Sequence, residues 1–289
     1  MKIDISIFIK NELKKITYKN FSKKYITQHL IPIINHINDS NDNKFIISGP
    51  QGSGKTTISK LLKVVIEKIY KKKVMVLSID DYYLSKKKRI KLSKKVHPLL
   101  ITRGVPGTHN IKKLKDHINQ FIQNRFPIRS LTFNKLTDDV LKKRRIIKNA
   151  DILLLEGWCC GSKPISNKYL HKNINDLERR LDNKNIWRSY YNSFLKEEYS
   201  QIFSKFKKKI YIKPPSFTNV LEWRYKQEKQ SALVKKKKIY MSKKELEYFI
   251  QHYEKQTRWM IKTMPAEASM VIKINKNQKI EKLIKTDSY

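Results

Sequence analysis

The eight residues Gly49-Pro50-Gln51-Gly52-Ser53-Gly54-Lys55-Thr56 restrict what this chain can fold into more than any other stretch. They satisfy the spacing G-x-x-x-x-G-K-[ST] in full, and that spacing carries meaning only between a strand and a helix. Both neighbours are present: Phe45-Ile46-Ile47-Ser48 is a short apolar run, and residues 55–68 carry apolar positions at helical intervals. The glycines permit backbone conformations that other residues resist, so successive amide N–H groups can turn toward one anion. The N-terminus of the following helix adds partial positive charge at the same place. The expectation is a loop that binds the phosphates of ATP, formed by Gly49, Pro50, Gln51, Gly52, Ser53, Gly54, Lys55, Thr56 and Thr57. Lys55 would reach the β- and γ-phosphates, and the Thr56 hydroxyl would complete the shell of Mg2+.

The rest of the chain repeats the strand-then-helix pattern. Strand-like runs lie at 44–48, 74–79, 128–133, 151–156, 208–212 and 269–274. Helical patterns fall at 55–68, 111–123, 187–203, 219–233 and 242–264. Several of the runs are continuously apolar, as strands covered on both faces must be. Such alternation predicts an α/β fold with a mostly parallel sheet, flanked by crossover helices. The first 43 residues read as amphipathic and helical, and they end in the polar turn 38–43. They are expected to form an N-terminal helical extension packed on a P-loop domain spanning 44–289. The stretch 80–110 is long for a loop in a compact domain, which points to function.

The charge is extreme, with 64 Lys plus Arg against 25 Asp plus Glu, a net +39. That balance would suit nucleic acid or an anionic membrane. The excess is spread as short runs, such as 71–73, 86–89, 207–209 and 235–238, without a recognition helix, zinc-ligand spacing or aromatic RNA-binding signature. Solvated surface lysines are therefore the expectation, with no specific nucleic-acid partner and no membrane. The longest apolar stretches, such as Ile152-Leu153-Leu154-Leu155, are far too short to span a bilayer. The start of the chain lacks the layout of a signal peptide. The only cysteines, Cys159 and Cys160, are adjacent and suggest neither a disulfide framework nor a metal site. A cytoplasmic protein is expected.

In a doubly wound sheet, ligands collect at the carboxyl ends of the strands. Two apolar runs here end in acids, at Asp80-Asp81 and at Glu156-Gly157. A carboxylate near the γ-phosphate can accept the proton of an attacking hydroxyl, or it can hold Mg2+. Asp80 is the expected base, Glu156 lies on the metal side, and Asp81 assists. Between them, Arg103, Thr108 and His109 offer a guanidinium, a hydroxyl and an imidazole within one Gly- and Pro-containing turn. Such groups can hold the carboxylate and hydroxyls of a small acid. Two pairs, Trp223-Arg224 and Arg258-Trp259, put guanidiniums beside indoles on helical segments, and Arg224 is the expected lid cation over the phosphates.

Taken in order, these residues resemble the D-glycerate 3-kinases of the plant and fungal type. That group sits within the wider set of phosphoribulokinase, uridine kinase and bacterial pantothenate kinase. The resemblance runs over roughly 44–274. It rests on the phosphate loop, Ser78-Ile79-Asp80-Asp81-Tyr82-Tyr83-Leu84, Val96-His97-Pro98-Leu99-Leu100 and the 103–109 turn. It continues through Leu155-Glu156-Gly157-Trp158-Cys159, Trp187-Arg188, Pro214-Pro215-Ser216-Phe217, Trp223-Arg224, Tyr253-Glu254 and Thr257-Arg258-Trp259. It implies an ATP- and Mg2+-dependent kinase with Asp80 as base and Glu156 near the metal. Asp80, Tyr83, Arg103, Thr108 and His109 would face the acceptor, for which D-glycerate is favoured. Related acceptors (uridine, pantothenate, a sugar phosphate) are the nearest alternative. A nucleotide-binding protein associated with nucleic acid is the other. Two residues depart from the group: Asn110 stands where Asp usually follows Thr-His, and Asn134 where Asp usually follows Phe. Both remove a negative charge on the expected acceptor side. General drift toward Asn, a changed substrate preference and weakened activity are the open readings.

Overall fold

The computed structural model describes residues 4–234 and 242–286, so the 235–238 lysine run lies outside it. In chain order the strands are β1 (Lys44–Ser48), β2 (Val74–Ser78), β3 (Ile128–Ser130), β4 (Phe133–Asn134), β5 (Asp139–Val140) and β6 (Arg145–Ile147). They continue with β7 (Ile152–Gly157), β8 (Lys208–Lys213), β9 (Met270–Ile274) and β10 (Ile280–Lys285). The main sheet has the order β10-β9-β8-β1-β7-β2. Every pairing in it is parallel except the antiparallel edge of β10 on β9. The middles of β1 and β7 are apolar because both faces of the sheet are covered: Phe45, Ile46, Ile47, Leu153, Leu154 and Leu155 are all fully buried.

The chain leaves β1 for the far edge at β2, returns to fill the gap with β7, and then crosses to β8 on the other side. That reversal opens a crevice at the carboxyl end of β1, where the glycine-rich loop begins. Register fixes what surrounds it. Ile47 pairs with Glu156 and Ser48 with Gly157, while Ser78 on the other flank of β7 is also level with Glu156. Gly157 has a packing reason, because a side chain there would run into Ile79 and Cys160.

The helix Ile5–Thr17 is capped by Asp4, whose carboxylate accepts from the Ser6 amide at 2.9 Å. It packs on the helix Lys55–Ile69 and delivers Ile9 and Leu13 to the same apolar cluster as the central strands. Tyr25 reaches the opposite edge, where its hydroxyl accepts from the Ile280 amide at 2.9 Å. Among the described residues no helix is long and apolar enough to cross a membrane.

Two segments differ from the sequence-based expectation. Residues 128–133 do not join the main sheet. β3 pairs with β6 and β4 with β5, as two small antiparallel ribbons. Arg129 explains this, since it is exposed between buried Ile128 and Ser130, and a strand covered on both faces has no place for it. The 80–110 stretch is not an open loop. It holds the tight turn Ile79–Tyr82, the helix Lys86–Lys95 and a second turn at Pro98–Ile101. Ser85 starts that helix by accepting from the Lys88 amide at 3.3 Å, and Arg89 pins its inner face.

Candidate active site

The phosphate loop takes the shape its glycines permit. Gly52 has φ +74°, and a methyl group there would lie 2.8 Å from Trp223 Cβ. The loop is thus roofed on one side by the helix Phe217–Val234, and on another the Gln278 amide donates to the Gly52 carbonyl. Gln51 Oε1 and Ser53 Oγ are buried without a partner, and of the two the Ser53 hydroxyl can donate to a bound anion. Lys55 folds back to donate to the Pro50 carbonyl at 2.8 Å. Burial pulls its pKa down, and the charges of the Glu156 and Asp80 carboxylates oppose that. Thr57 lies in the first turn of the same helix.

Thr56 Oγ1 donates to Glu156 Oε1 at 3.4 Å. Glu156 is 6% exposed, and burial raises its carboxyl above the usual range while Lys55 pulls it back. These are two hard oxygens at the lip of the loop. Among the described residues, no group of three or more His, Cys, Asp or Glu side chains could hold a metal by itself. Mg2+ fits that situation, since it is commonly held by one or two protein oxygens together with phosphate oxygens and water.

Asp80 stands opposite, in the tight turn after β2. Its Oδ1 accepts from the Tyr83 hydroxyl at 2.8 Å and its Oδ2 from the Lys135 ammonium at 2.5 Å. Burial alone would raise its pKa. The charge and hydrogen bond of Lys135, the Tyr83 hydroxyl and Lys55 together outweigh burial and hold Asp80 below the usual carboxylate range. Asp81 points elsewhere: its Oδ1 accepts from the Phe133 amide at 3.2 Å, and burial pushes its carboxyl up. That bond anchors the β4–β5 ribbon, and it engages only one oxygen of the acid expected to assist Asp80 or Glu156.

The 103–109 turn forms a wall beyond Asp80. His109 is 4% exposed, and its ring stacks on Tyr83 at 4.6 Å between centroids. Its Nδ1 lies 2.6 Å from the Tyr199 hydroxyl, which also accepts from the Gly107 amide at 3.2 Å. With that amide pointing in, we assign the Tyr199 hydroxyl as the donor to Nδ1, which puts the imidazole proton on Nε2. Nε2 is buried and has no partner. Burial pushes the His109 pKa down to about 4, so the ring is neutral at physiological pH.

Arg103 pairs with Asp138 and lies over the Phe133 ring, 5.6 Å from its centroid. Asp138 also takes Arg89 at 2.6 Å, which ties the ribbon to the turn. Thr108 departs from expectation. Its hydroxyl accepts from the Gly104 amide at 3.0 Å and donates to the Val105 carbonyl at 2.7 Å. It closes its own turn, fully buried, and does not face a ligand. Tyr83 is likewise a residue that orients Asp80, since its hydroxyl is already committed to that carboxylate.

The lid arginines are held on their own helices. Arg224 pairs with Glu228 at 2.9 Å, and Arg258 pairs with Glu254 while lying over Phe217. The charge of Arg224 still bears on Tyr253. Tyr253 donates to the Arg103 carbonyl at 2.7 Å and presses on Gly104, whose φ of +136° leaves no room for a side chain. Asn110 and Asn134 turn out to serve local structure. Asn110 Oδ1 caps the helix Ile111–Ile122 by accepting from Lys113 N, and Asn134 Oδ1 accepts from Leu136 N in the ribbon turn. Asn serves as well as Asp in both positions.

Lys135, Asp138 and Tyr199 are residues of this site that the sequence reading did not single out, and Tyr253 entered it only as part of the resemblance. Cys159 and Cys160 are fully buried and unpaired, and burial pushes the Cys159 thiol up to about 12. They pack and do not react.

His109, His117 and His252 are each buried, and burial pushes each pKa down to about 4 from the usual 6.5. As pH falls, the unfolded chain takes up these protons first. The stability they contribute is therefore full above about pH 6.5 and is lost as pH drops toward 4, by up to about 3 kcal/mol per histidine. Urea midpoints at pH 7, 5.5 and 4.5 should fall in that order; a flat midpoint over the window would contradict this burial.

No protein-family model matches the sequence. It is 27% identical over 230 residues to an uncharacterized kinase of Schizosaccharomyces pombe, covering 75% of this chain and 80% of that protein. It is 28% identical over 244 residues to the chloroplast D-glycerate 3-kinase of Arabidopsis thaliana, covering 76% of this chain and 48% of that protein. Its fold matches the solved structure of a D-glycerate 3-kinase from Cryptococcus neoformans, with a TM-score of 0.70 and 20% identity over 96% of this chain and 99% of that one. By motif and sheet order this chain has the fold of the P-loop kinases, and in sequence it is similar to kinases that include a D-glycerate 3-kinase.

Proposed function

We propose that this kinase transfers the γ-phosphoryl group of ATP to a hydroxyl of D-glycerate, giving 3-phosphoglycerate. The observation that carries this reading is the pairing across the crevice. The loop lysine and the Thr56–Glu156 pair lie on one side of Asp80. On the other lies a wall holding Arg103 and the unpaired, buried Nε2 of His109. A small anionic alcohol suits that wall, with its carboxylate on the guanidinium and an oxygen on Nε2–H. The names of the Arabidopsis and Cryptococcus relatives support the same acceptor.

In the transfer, the acceptor oxygen attacks the γ-phosphorus while the bond to the β–γ bridging oxygen breaks and ADP leaves. The hydroxyl proton passes to Asp80. Lys55 and the loop amides bear on the oxygens where charge develops, and most of the acceleration comes from such fixed groups. Thr56 and Glu156 would hold Mg2+, which neutralises phosphate charge when bound. Arg224 would cover the phosphates from the lid helix.

Purified protein is tested with ATP, Mg2+ and a panel of D-glycerate, uridine, pantothenate and ribulose 5-phosphate. ADP release with glycerate alone is expected. Release with another member only would defeat the glycerate assignment and leave a kinase of different acceptor. Asp80→Asn should lower kcat about 10²- to 10⁴-fold, because the amide can still orient the hydroxyl and cannot take its proton.

A further inference from the structure

Lys135 sits at the centre of this site without belonging to the sheet that builds it. It is delivered by the short turn 135–138 between β4 and β5. The ribbon is fastened at three points: Asp81 accepts from the Phe133 amide, Arg89 and Arg103 grip Asp138, and Asp139 accepts from the Lys86 amide. The side chain itself is 60% exposed, so only its tip is engaged, at 2.5 Å from Asp80 Oδ2. Its charge bears on Lys55 and Glu156 as well as on Asp80.

We propose that Lys135 is a second phosphate-binding cation of this kinase, which leaves Asp80 when a nucleoside triphosphate arrives and pairs with its γ-phosphoryl group. Three features support the exchange. An ammonium bonded to Asp80 stabilises the ionised carboxylate and makes it a poorer proton acceptor, so the observed pair is unsuited to the transfer step. Asp80's other partner, Tyr83, is buried and stacked on His109, whereas Lys135 is exposed on a turn and free to swing. A triphosphate brings several negative charges into the gap between Lys55 and Lys135, and a flexible ammonium is attracted to the larger charge. The exchange would make Asp80 more basic only after ATP is in place, and would set cations on both flanks of the transferring group. The inference rests on the phosphoryl-transfer reading, though not on glycerate.

The test compares binding of the β,γ-imido analogue of ATP with binding of ADP, both with Mg2+, by calorimetry. Lys135→Met is expected to weaken the triphosphate analogue about tenfold and to leave ADP within about twofold. Lys135→Gln should give the same split, and Lys135→Arg should restore most of the loss. Losing Lys135 also bares Asp80, which would repel the γ-phosphate, so each comparison is repeated in an Asp80→Asn background. Persistence of the triphosphate-specific loss there supports direct pairing. Its disappearance overturns the proposal, as do equal losses for both ligands or no loss for either. Neither ligand is the acceptor, so a protein that ignores glycerate removes that substrate and leaves this result intact.

Discussion

Lys55→Met should lower turnover about 10²- to 10³-fold while the fold survives. Methionine has nearly the length of the lysine stem, so the half-buried aliphatic contacts are kept. What disappears is one ammonium that feels the Glu156 and Asp80 charges and whose present partner is the Pro50 carbonyl at 2.8 Å. That carbonyl is a resting place, since the Ser53 amide already donates to it at 3.3 Å. The lost term is charge stabilisation in a partly desolvated crevice, worth about 3–4 kcal/mol for a single well-aimed donor. Acceptor-dependent ADP release checks the rate, and a melting curve within about 2 °C of the parent checks the fold. Turnover within threefold of the parent would remove Lys55 from the phosphate site and with it the assignment of the loop.

The second large effect is on stability and lies away from the chemistry. Arg188 is completely buried. It bonds Asp182 Oδ2 at 2.8 Å, Glu178 Oε2 at 3.2 Å, and the carbonyls of Asp182 and Leu170. Glu178 is shared with Lys255, which also donates to the Tyr169 and Lys172 carbonyls. This network joins the helices Asp176–Leu181, Ile186–Phe194 and Lys243–Glu267, the last of which carries Tyr253 to the acceptor wall. Arg188→Met keeps the volume, leaves the buried Asp182 carboxylate without its guanidinium and leaves Glu178 with Lys255 as its cation, a change that costs about 3–5 kcal/mol. A fall of roughly 10 °C in the melting temperature follows for a domain of this size. A melting temperature unchanged by the substitution would mean that water already reaches Asp182 and Glu178.

These two residues also mark how legible the molecule was. Lys55 could be placed from eight letters, because a glycine-rich turn between a strand and a helix is defined by torsions and periodicities that need no distant partner. Asp80 and Glu156 were legible for a related reason: each ends an apolar strand, and parallel strands of one sheet bring their carboxyl ends together. For Asp81, Tyr83 and Thr108 the residue type was suggestive and its direction was not. A hydroxyl such as that of Thr108 is used by whichever neighbour arrives first, and here its own turn supplied both partners. Asn110 and Asn134 drew attention as lost charges; their surroundings use only a carbonyl oxygen. Lys135 had no distinguishing mark in a chain with 64 lysines and arginines.

The order of residues along the chain was enough to specify the parallel α/β architecture, the glycine-rich turn after β1 and the acids at the carboxyl ends of β2 and β7. Each is written in backbone preference and hydrophobic spacing over a few consecutive positions. Packing alone made the partnerships: Lys135 with Asp80 across 55 residues, Tyr199 with His109 across 90, Tyr253 with Arg103 across 150. Which surfaces meet depends on the shapes of whole helices and ribbons, and no local stretch contains that information.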